Sequence, residues 1–246
     1  KADLTITAVN NSKIYHEQDP KLTYTKSGLL GSNDIITGSL IREKGEDVGV
    51  YKIQQGSLNA GYNYNITFIP GNFTIGWKIL NVTAAGINKI YDGTTTATVT
   101  LSDNRLLGDV FTATYTSASF ADKNVGIGKA VSVTGISISG TDAGNYTSNT
   151  TASATAAILI AQLTITANIN GKNYGESDPV LTYAITTGTL FDVITGKLSR
   201  VAGENVGSYN ITIGSLTAGN NYNISFVPAL FYINPYGPGT RAVRPI

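Results

Sequence analysis

The sequence contains no cysteine, no methionine and only one histidine, His16, among its 246 residues. The absence of cysteine excludes disulfides, thiolate metal sites and cysteine nucleophiles. A lone imidazole supplies too few groups for a zinc site or a serine-hydrolase triad. Charged residues make up only 13% of the chain, and 17 basic residues nearly balance 16 acidic ones, so we expect no nucleic-acid partner. No apolar run reaches the roughly 18 residues of a membrane span, which predicts no membrane insertion.

The two ends of the chain are copies of one repeat. LTITAVNNSKIYHEQDPKLTY, from Leu4, matches LTITANINGKNYGESDPVLTY, from Leu163. A looser version lies between them, with KIYDG from Lys89 and DAGNY from Asp142. We therefore predict repeats over residues 1–76, 77–161 and 162–235. Residues 236–246 are expected to lead into a following module that is absent here, and the missing initiator methionine leads us to expect a longer parent protein.

Apolar and polar residues alternate with period two in runs such as Leu4–Ala8 and Tyr64–Ile69, a pattern typical of half-buried strands. Gly, Asn, Asp and Pro interrupt these runs at intervals of about 8–12 residues, as in a sandwich or barrel of short antiparallel strands. One helical turn is expected over Leu29–Ile36, or over Leu190–Ile194 in the other copy. The predicted fold is all-β, with three tandem small β-sandwich (immunoglobulin-like) domains; β-grasp-like units are the alternative.

The repeats follow one another without a Ser/Gly-rich or Pro-rich linker. Phe73–Ile75 runs directly into Gly76 and Trp77, and Ala157–Ile160 runs into the first strand of the last repeat. Short connections of this kind predict an elongated rod, with a length of roughly 90 Å or more from compact-domain scaling.

The motifs resemble a known family of bacterial repeats. The outer repeats share Y-x-E-x-D-P-x-L-T-Y, D-x-I-T-G-x-L, N/D-V-G-x-Y and A-G-x-N-Y-N-I, and so resemble MBG-type repeats. The middle repeat resembles the YDG type through K-x-Y-D-G-T-T-x-A, from Lys89 to Ala97. The resemblance implies large secreted surface adhesins of the Bacteroidetes type, an extracellular location and no catalytic residues. It also implies neighbouring domains of the same long chain as partners, with host or environmental glycans or proteins as further ones.

Acidic pairs could support glycoside hydrolysis, which needs two carboxyl groups facing one cleft. The candidates are Glu17 with Asp19, or Glu43 with Glu46 and Asp47. Equivalent acids recur in the last repeat, and a structural device used twice is a simpler explanation than a duplicated active site. The chain is therefore predicted not to be an enzyme and to need no cofactor. Calcium bound by loop carboxylates is an open alternative, although no D-x-D-x-D-G series is present.

A covalent cross-link is a sharper hypothesis for a chain without disulfides. Lys13 and Lys172 each stand two residues before a signature tyrosine, and therefore on the same strand face as that tyrosine. An amide between lysine and asparagine, promoted by a nearby acid, would lock strands together. The two sets of residues would be Lys13, Asn65 and Glu17, and Lys172, Asn223 and Glu176. The ordinary alternative is a lysine whose stem lies along an apolar face.

These observations together predict a structural role. The chain is expected to be a stalk or display segment of a large bacterial surface or secreted adhesin, contributing reach and stiffness, with assembly into a filament left open. A glycan-binding or protein-binding module is the first alternative, and a glycan-active enzyme is the second.

Overall fold

The computed structural model describes residues 1–28, 31 and 34–235. Regular structure in these residues consists of β-strands and one 3₁₀ turn, Ala143–Asn145. The prediction of an all-β chain is confirmed. Within the described ranges, no helix has the length and apolarity that a membrane crossing requires.

The amino-terminal repeat forms two small sheets. One sheet has the strand order β3-β1-β6 and the other β2-β7-β5-β4. The strands are β1 (Ala2–Ala8), β2 (Asn11–Ile14), β3 (Tyr24–Ser27), β4 (Ile41–Arg42), β5 (Gly49–Gln54), β6 (Tyr64–Ile69) and β7 (Gly71–Gly76).

Each of these sheets buries one face. Leu4, Ile6 and Ala8 alternate with more exposed residues along β1, and Phe73 and Ile75 do the same along β7. Two sheets with one apolar face each are stable when those faces cover one another, which makes the repeat a sandwich. The β-grasp alternative is wrong, because that fold packs one sheet on an α-helix and the described residues form none.

The direction of several strands differs from the prediction of antiparallel pairing. β1 pairs parallel with β6, and β2 pairs parallel with β7, while β1 with β3 and β5 with β7 are antiparallel. Alternation of apolar residues reports which face of a strand is buried, and it carries no information about strand direction. Parallel partners need a long crossover, and here most of the repeat supplies it.

The middle repeat has a four-stranded sheet of order β10-β17-β14-β13 and three strand pairs, β11-β9, β12-β15 and β16-β8. The strands are β8 (Lys78–Leu80), β9 (Val82–Ile87), β10 (Lys89–Ile90), β11 (Thr98–Asp103), β12 (Thr112–Thr114), β13 (Ser117–Phe120), β14 (Gly126–Thr134), β15 (Ser137–Ser139), β16 (Tyr146–Ser148) and β17 (Thr151–Leu159).

The carboxy-terminal repeat reproduces the first one strand for strand. Its sheets have the orders β20-β18-β23 and β19-β24-β22-β21, with the same parallel and antiparallel pairs. The strands are β18 (Ala161–Ala167), β19 (Asn170–Asn173), β20 (Tyr183–Thr187), β21 (Ser199–Arg200), β22 (Gly207–Thr212), β23 (Tyr222–Val227) and β24 (Leu230–Asn234).

The chain divides into two compact units, and the middle repeat contributes to both. Unit 1 comprises Lys1–Thr83, Leu101–Thr116 and Thr134–Ala152. Unit 2 comprises Ala84–Thr100, Ser117–Val133 and the chain from Ser153 onward. The leader predicted over residues 236–246 lies outside the described residues.

The predicted helical turn is absent from Leu190–Ile194, which has no helical structure. The backbone N–H of Phe191 instead donates to the hydroxyl of Tyr222 at 2.7 Å. This bond satisfies the donor without a helix. The equivalent segment, Leu29–Ile36, lies partly outside the described residues.

Glycine is required before β5, where an aromatic ring covers the backbone. Gly45 has φ +147°, and a Cβ there would overlap the ring of Tyr51. Gly203 and Tyr209 repeat this arrangement, with φ +152° at the glycine. The ring of each tyrosine is fixed by a hydroxyl bond of 2.8 Å to a carbonyl four residues earlier.

We predict that Gly45→Ala lowers the free energy of unfolding by about 1–3 kcal/mol, because the methyl group must displace the Tyr51 ring. Gly144→Ala is the control, since a Cβ at Gly144 meets open space. The control should stay within about 0.5 kcal/mol of the parent. Urea denaturation measures both, and equal effects of the two variants would contradict the prediction.

Candidate functional site

Two buried basic side chains and two partly exposed acidic ones form one closed network in the first repeat. The ammonium of Lys13 lies 2.7 Å from Asp19 Oδ1 and 2.5 Å from Glu46 Oε2. Arg42 binds the other oxygens of these two carboxylates, with Nε 2.5 Å from Asp19 and Nη2 2.5 Å from Glu46. Two cations and two anions therefore alternate in a ring with no net charge.

The two cations of this network are the buried members. The side chains of Lys13 and Arg42 are only 4% and 8% exposed. The guanidinium of Arg42 also lies over the rings of Tyr51 and Phe73, at 5.4 Å and 5.0 Å from their centroids. A buried cation is tolerated when it is paired and hydrogen-bonded, so the network allows the sandwich to enclose both charges.

The carboxy-terminal repeat holds the same network, built from Lys172, Asp178, Arg200 and Glu204. The distances from the lysine ammonium to the aspartate and glutamate are 2.7 Å and 2.5 Å. Those from the guanidinium to the same two carboxylates are 2.6 Å and 2.6 Å. The recurrence of each ion pair supports the prediction that these acids are a structural device used twice.

The network makes its carboxylates poor acid catalysts. The hydrogen bond from Arg200 lowers the pKa of Asp178 to about 2, and the bond from Arg42 lowers the pKa of Asp19. The pKa of Glu46 is lowered as well. The general acid of a glycosidase needs a raised pKa, so these groups have the wrong protonation for that chemistry.

The residues of the predicted cross-link contact other groups. Lys13 faces the interior of its sheet, while Asn65 is exposed on β6 of the other sheet, opposite Asp3. The carboxylate of Glu17 accepts a bond from the N–H of Ile14 at 3.0 Å. None of these contacts joins the lysine to the asparagine.

The second set behaves in the same way. Lys172 belongs to the charge network, and Asn223 donates to Gln162 at 2.9 Å. Glu176 accepts bonds from the backbone and side chain of Asn173, at 3.0 Å and 3.1 Å. The cross-link stays a prediction, and these contacts give it no support.

Shallow clefts lie beside both networks, with volumes of about 700 Å³ and 550 Å³. Tyr24 lines the first cleft, and its counterpart Tyr183 pairs with Ala167 as Tyr24 pairs with Ala8. Among residues 1–28, 31 and 34–235, no three acidic or histidine side chains cluster as a metal ion would require, and the calcium alternative stays a prediction.

His16 occupies a backbone position that favours glycine. Its φ is +66°, and Gly175, the equivalent residue of the other copy, has φ +89°. The side chain of His16 is exposed in a turn, as expected for a solvent-facing loop residue.

Within unit 1, an aromatic cluster joins the first repeat to the middle repeat. The hydroxyl of Tyr15 donates to Asp109 Oδ1 at 3.3 Å, and the hydroxyl of Tyr146 donates to Oδ2 of the same carboxylate at 2.5 Å. The two tyrosine rings meet edge to face, with centroids 5.7 Å apart. Burial raises the pKa of Tyr146 to about 12, and the bond to Asp109 acts in the same direction, so this hydroxyl remains a donor at neutral pH.

An asparagine completes this first joint. Asn145 Oδ1 accepts a bond of 2.8 Å from the N–H of Val48, and its Nδ2 donates to Asp47 Oδ1 at 3.0 Å. Asn145 is one of the few buried polar residues in the described part of the chain, and its amide is satisfied across the joint.

A second joint of the same design lies within unit 2. The hydroxyl of Tyr91 donates to Asp192 Oδ2 at 2.6 Å, and its ring lies edge to face with Tyr222 at 5.4 Å. Lys123 adds a contact of 2.6 Å to Asp192 Oδ1. This lysine has no counterpart at the first joint, where Glu46 occupies the equivalent position and belongs to the charge network.

The asparagine of the second joint also makes equivalent bonds. Asn221 Oδ1 accepts from the N–H of Val125 at 3.0 Å, and its Nδ2 donates to Asn124 Oδ1 at 3.3 Å. The K-x-Y and N/D-V-G motifs of one repeat therefore meet the Asn-Tyr pair of the next at both joints, within A-G-N-Y at the first and A-G-N-N-Y at the second. Their conserved order along three repeats was visible in the sequence, but nothing there indicated that one repeat's tyrosine binds the next repeat's aspartate.

Family comparisons agree with the repeat pattern. The model of the MBG domain (YGX type) matches residues 4–74 and 163–232. The chain belongs to the MBG family. The YDG domain matches residues 77–156, so MBG repeats flank a YDG repeat in the predicted order.

No curated protein matches this MBG chain. Among solved structures, it is similar to the crystal structure of the I9–I11 tandem of titin. The similarity covers 94% of this chain and 100% of that chain, with 9% sequence identity and a TM-score of 0.25. A score this low identifies no fold, so the sandwich assignment of the MBG repeats rests on their sheets.

We predict that Asp19→Asn lowers the free energy of unfolding by about 1–2 kcal/mol at neutral pH, because it leaves buried cations short of an anion. The effect is smaller than for a fully buried pair, since the Asp19 side chain is 40% exposed. Asp178→Asn should behave alike in the other MBG repeat. Lys13→Met is the control, and we expect it to cost less than about 1 kcal/mol, since the carboxylates it releases can be hydrated.

The same comparison depends on pH. The folded pKa of Asp178 is about 2 and its ordinary pKa is 3.8, so its stabilisation is complete above the ordinary value and lost as pH falls towards the folded one. The difference between the parent and Asp178→Asn should therefore shrink towards zero on acidification. Urea titrations at a series of pH values measure it, and a difference independent of pH would contradict this account.

Proposed function

We propose that this chain is a structural spacer of a large bacterial surface or secreted adhesin, in which docked repeats set the reach and stiffness of a stalk. The tandem MBG and YDG repeats support a stalk module, and neither is an enzyme family. The extracellular location and the adhesive context are carried over from the family resemblance. Binding to glycans or proteins would then belong to other parts of the adhesin.

The observation that carries this proposal is the repeated joint. Each joint combines an edge-to-face ring contact, a tyrosine–carboxylate bond and two asparagine bonds. Hydrogen bonds and ring contacts are directional, so together they favour one orientation of the joined surfaces. A surface built only for solubility would have no reason to repeat such a constellation.

The connections between repeats support the same proposal. β7 ends at Gly76 and β8 begins at Lys78, so a single residue, Trp77, separates them. β17 ends at Leu159 and β18 begins at Ala161. A connection of one residue cannot act as the flexible coil that a Gly/Ser linker forms.

The polar surface and short sheet edges also suit a spacer whose sheets must not pair with those of neighbouring chains. With 13% charged residues, the surface relies on Thr, Asn and Ser for its polarity. The edge strand β4 is only two residues long, which leaves little ladder for another chain to extend. Both properties favour a spacer that does not aggregate through its sheets.

Small-angle X-ray scattering tests the spacer function directly. We expect a maximum dimension of about 90 Å or more for the parent chain, from compact-domain scaling. Tyr15→Ala combined with Tyr91→Ala should give a broader distribution of distances, because both joints lose their central ring. Tyr62→Ala, at an exposed tyrosine outside the joints, should match the parent. A parent profile typical of freely moving domains would overturn the proposal.

Surface display needs a separate experiment. Antibodies raised against this chain should label intact cells of the parent bacterium as strongly as permeabilised cells. An antibody against a cytoplasmic protein of the same cells provides the control for membrane integrity. Labelling that requires permeabilisation would contradict display on the outside, and would leave the spacer geometry unaffected.

A further inference from the structure

Each joint is made from two different surfaces. The tyrosine face carries the K-x-Y tyrosine with the N/D-V-G backbone, and the asparagine face carries an aspartate with the Asn-Tyr pair of A-G-x-N-Y. The tyrosine faces in use are those of Tyr15 and Tyr91, and both rings are buried, at 7% and 2% exposed. Every repeat carries both motifs, the middle one with the shorter A-G-N-Y, so three repeats hold three faces of each kind and form two joints.

The third tyrosine face belongs to the carboxy-terminal repeat, and it is exposed. Tyr174 is 49% exposed, in contrast to its two counterparts. Val206 is exposed as well. The equivalent Val48, whose backbone N–H donates to an asparagine in the first joint, is half-buried. Glu204, two residues before Val206, belongs to a charge network as Glu46 does at the first joint, so this face is of the first joint's kind.

The third asparagine face belongs to the amino-terminal repeat, and it is already arranged for a partner. The hydroxyl of Tyr64 donates to Asp34 Oδ2, the bond that Tyr146 makes to Asp109 in the first joint. A further bond, from Gly31, also ends on Asp34 Oδ2. In the first joint, the other carboxylate oxygen is the one that accepts the incoming tyrosine.

The asparagine of this face is more exposed than its counterparts. Asn63 is exposed, while Asn221 is half-buried and Asn145 is 4% exposed, each with its amide bound across a joint. Tyr64 is already as buried as Tyr146 and Tyr222. The residues of the two end faces that lack the burial of a formed joint are therefore Asn63 and Tyr174.

We propose that these two exposed faces are half-joints, each of which binds another repeat of the same kind. The Asp34 face takes the K-x-Y tyrosine of a second repeat, and Tyr174 enters the asparagine face of another. A second copy of this chain offers both surfaces, so copies join end to end, amino-terminal face to carboxy-terminal face. The proposal rests on the spacer function, because it continues the same joint beyond the three repeats.

Disulfide trapping tests this pairing in a chain that has no cysteine of its own. One variant carries Val206→Cys and the other carries Asn63→Cys, at positions equivalent to the bonded pair Val48 and Asn145. The two are mixed under mild oxidation at about 1 mM, a concentration comparable to that between tethered modules. We expect the mixed disulfide to form about tenfold faster than either homodimer. This factor corresponds to roughly 1.4 kcal/mol of specific binding.

Three controls make the result decisive. Val48→Cys with Asn145→Cys in one chain calibrates the geometry in a formed joint. Val180→Cys in place of Val206→Cys gives the background rate at a different exposed valine of the same repeat. Adding Tyr174→Ala to the Val206→Cys chain should slow trapping about tenfold, as expected for losing a hydrogen bond to a carboxylate.

A mixed disulfide no faster than the Val180→Cys background, or one insensitive to Tyr174→Ala, would overturn the proposal. Faster homodimers of Val206→Cys would identify a symmetric contact instead and would also overturn it. Sedimentation of the unmodified chain is a second measurement that does not depend on disulfide geometry. The average mass of the parent should increase as the protein concentration is raised to about 1 mM, and that of Tyr174→Ala should stay constant. A constant mass for the parent would overturn the half-joints. It would leave the scattering profile of the monomer, and therefore the spacer function, unaffected.

Discussion

A hydrogen bond from a tyrosine of one repeat to an aspartate of the next is the interaction on which this architecture depends. It is 3.3 Å long between Tyr15 and Asp109, and 2.6 Å long between Tyr91 and Asp192. The carboxylate collects donors from both sides, and the surrounding rings cover much of it, leaving the Asp192 side chain 25% exposed. A partly buried polar bond demands good geometry, since an unpaired group there is costly. The bond therefore specifies orientation as well as contributing affinity.

The charge networks hold the parts of the tyrosine face together. Lys13 lies on β2, two residues before Tyr15, and Glu46 immediately precedes Asp47, whose carboxylate binds Asn145. One ion pair thus links the strand that leads into the tyrosine to the loop that carries the backbone donor. The same link recurs at the exposed face of the last repeat. Packing inside a repeat and docking between repeats are consequently parts of one design.

The sequence allowed the repeats, the all-β class and the sandwich layers to be predicted, because alternating apolar residues determine which face of a strand is buried. It did not allow strand direction to be predicted, since β1 and β6 come from opposite ends of a repeat. The partner of Lys13 was also missed: alternation indicates that this side chain points inward and does not distinguish Asn65 from Asp19. The joints were beyond reach for a related reason, because Tyr15 and Asp109 are 94 residues apart and lie in different repeats.

The parallel pairing of the terminal strands determines how a repeat responds when its ends are pulled. β1 lies along β6, and β7 lies along β2, each in register over at least four residue pairs. Tension entering through a one-residue connection acts along these strands, so their ladders are loaded in shear and many hydrogen bonds must break together. Strands loaded crosswise would instead unzip one bond at a time under much smaller forces.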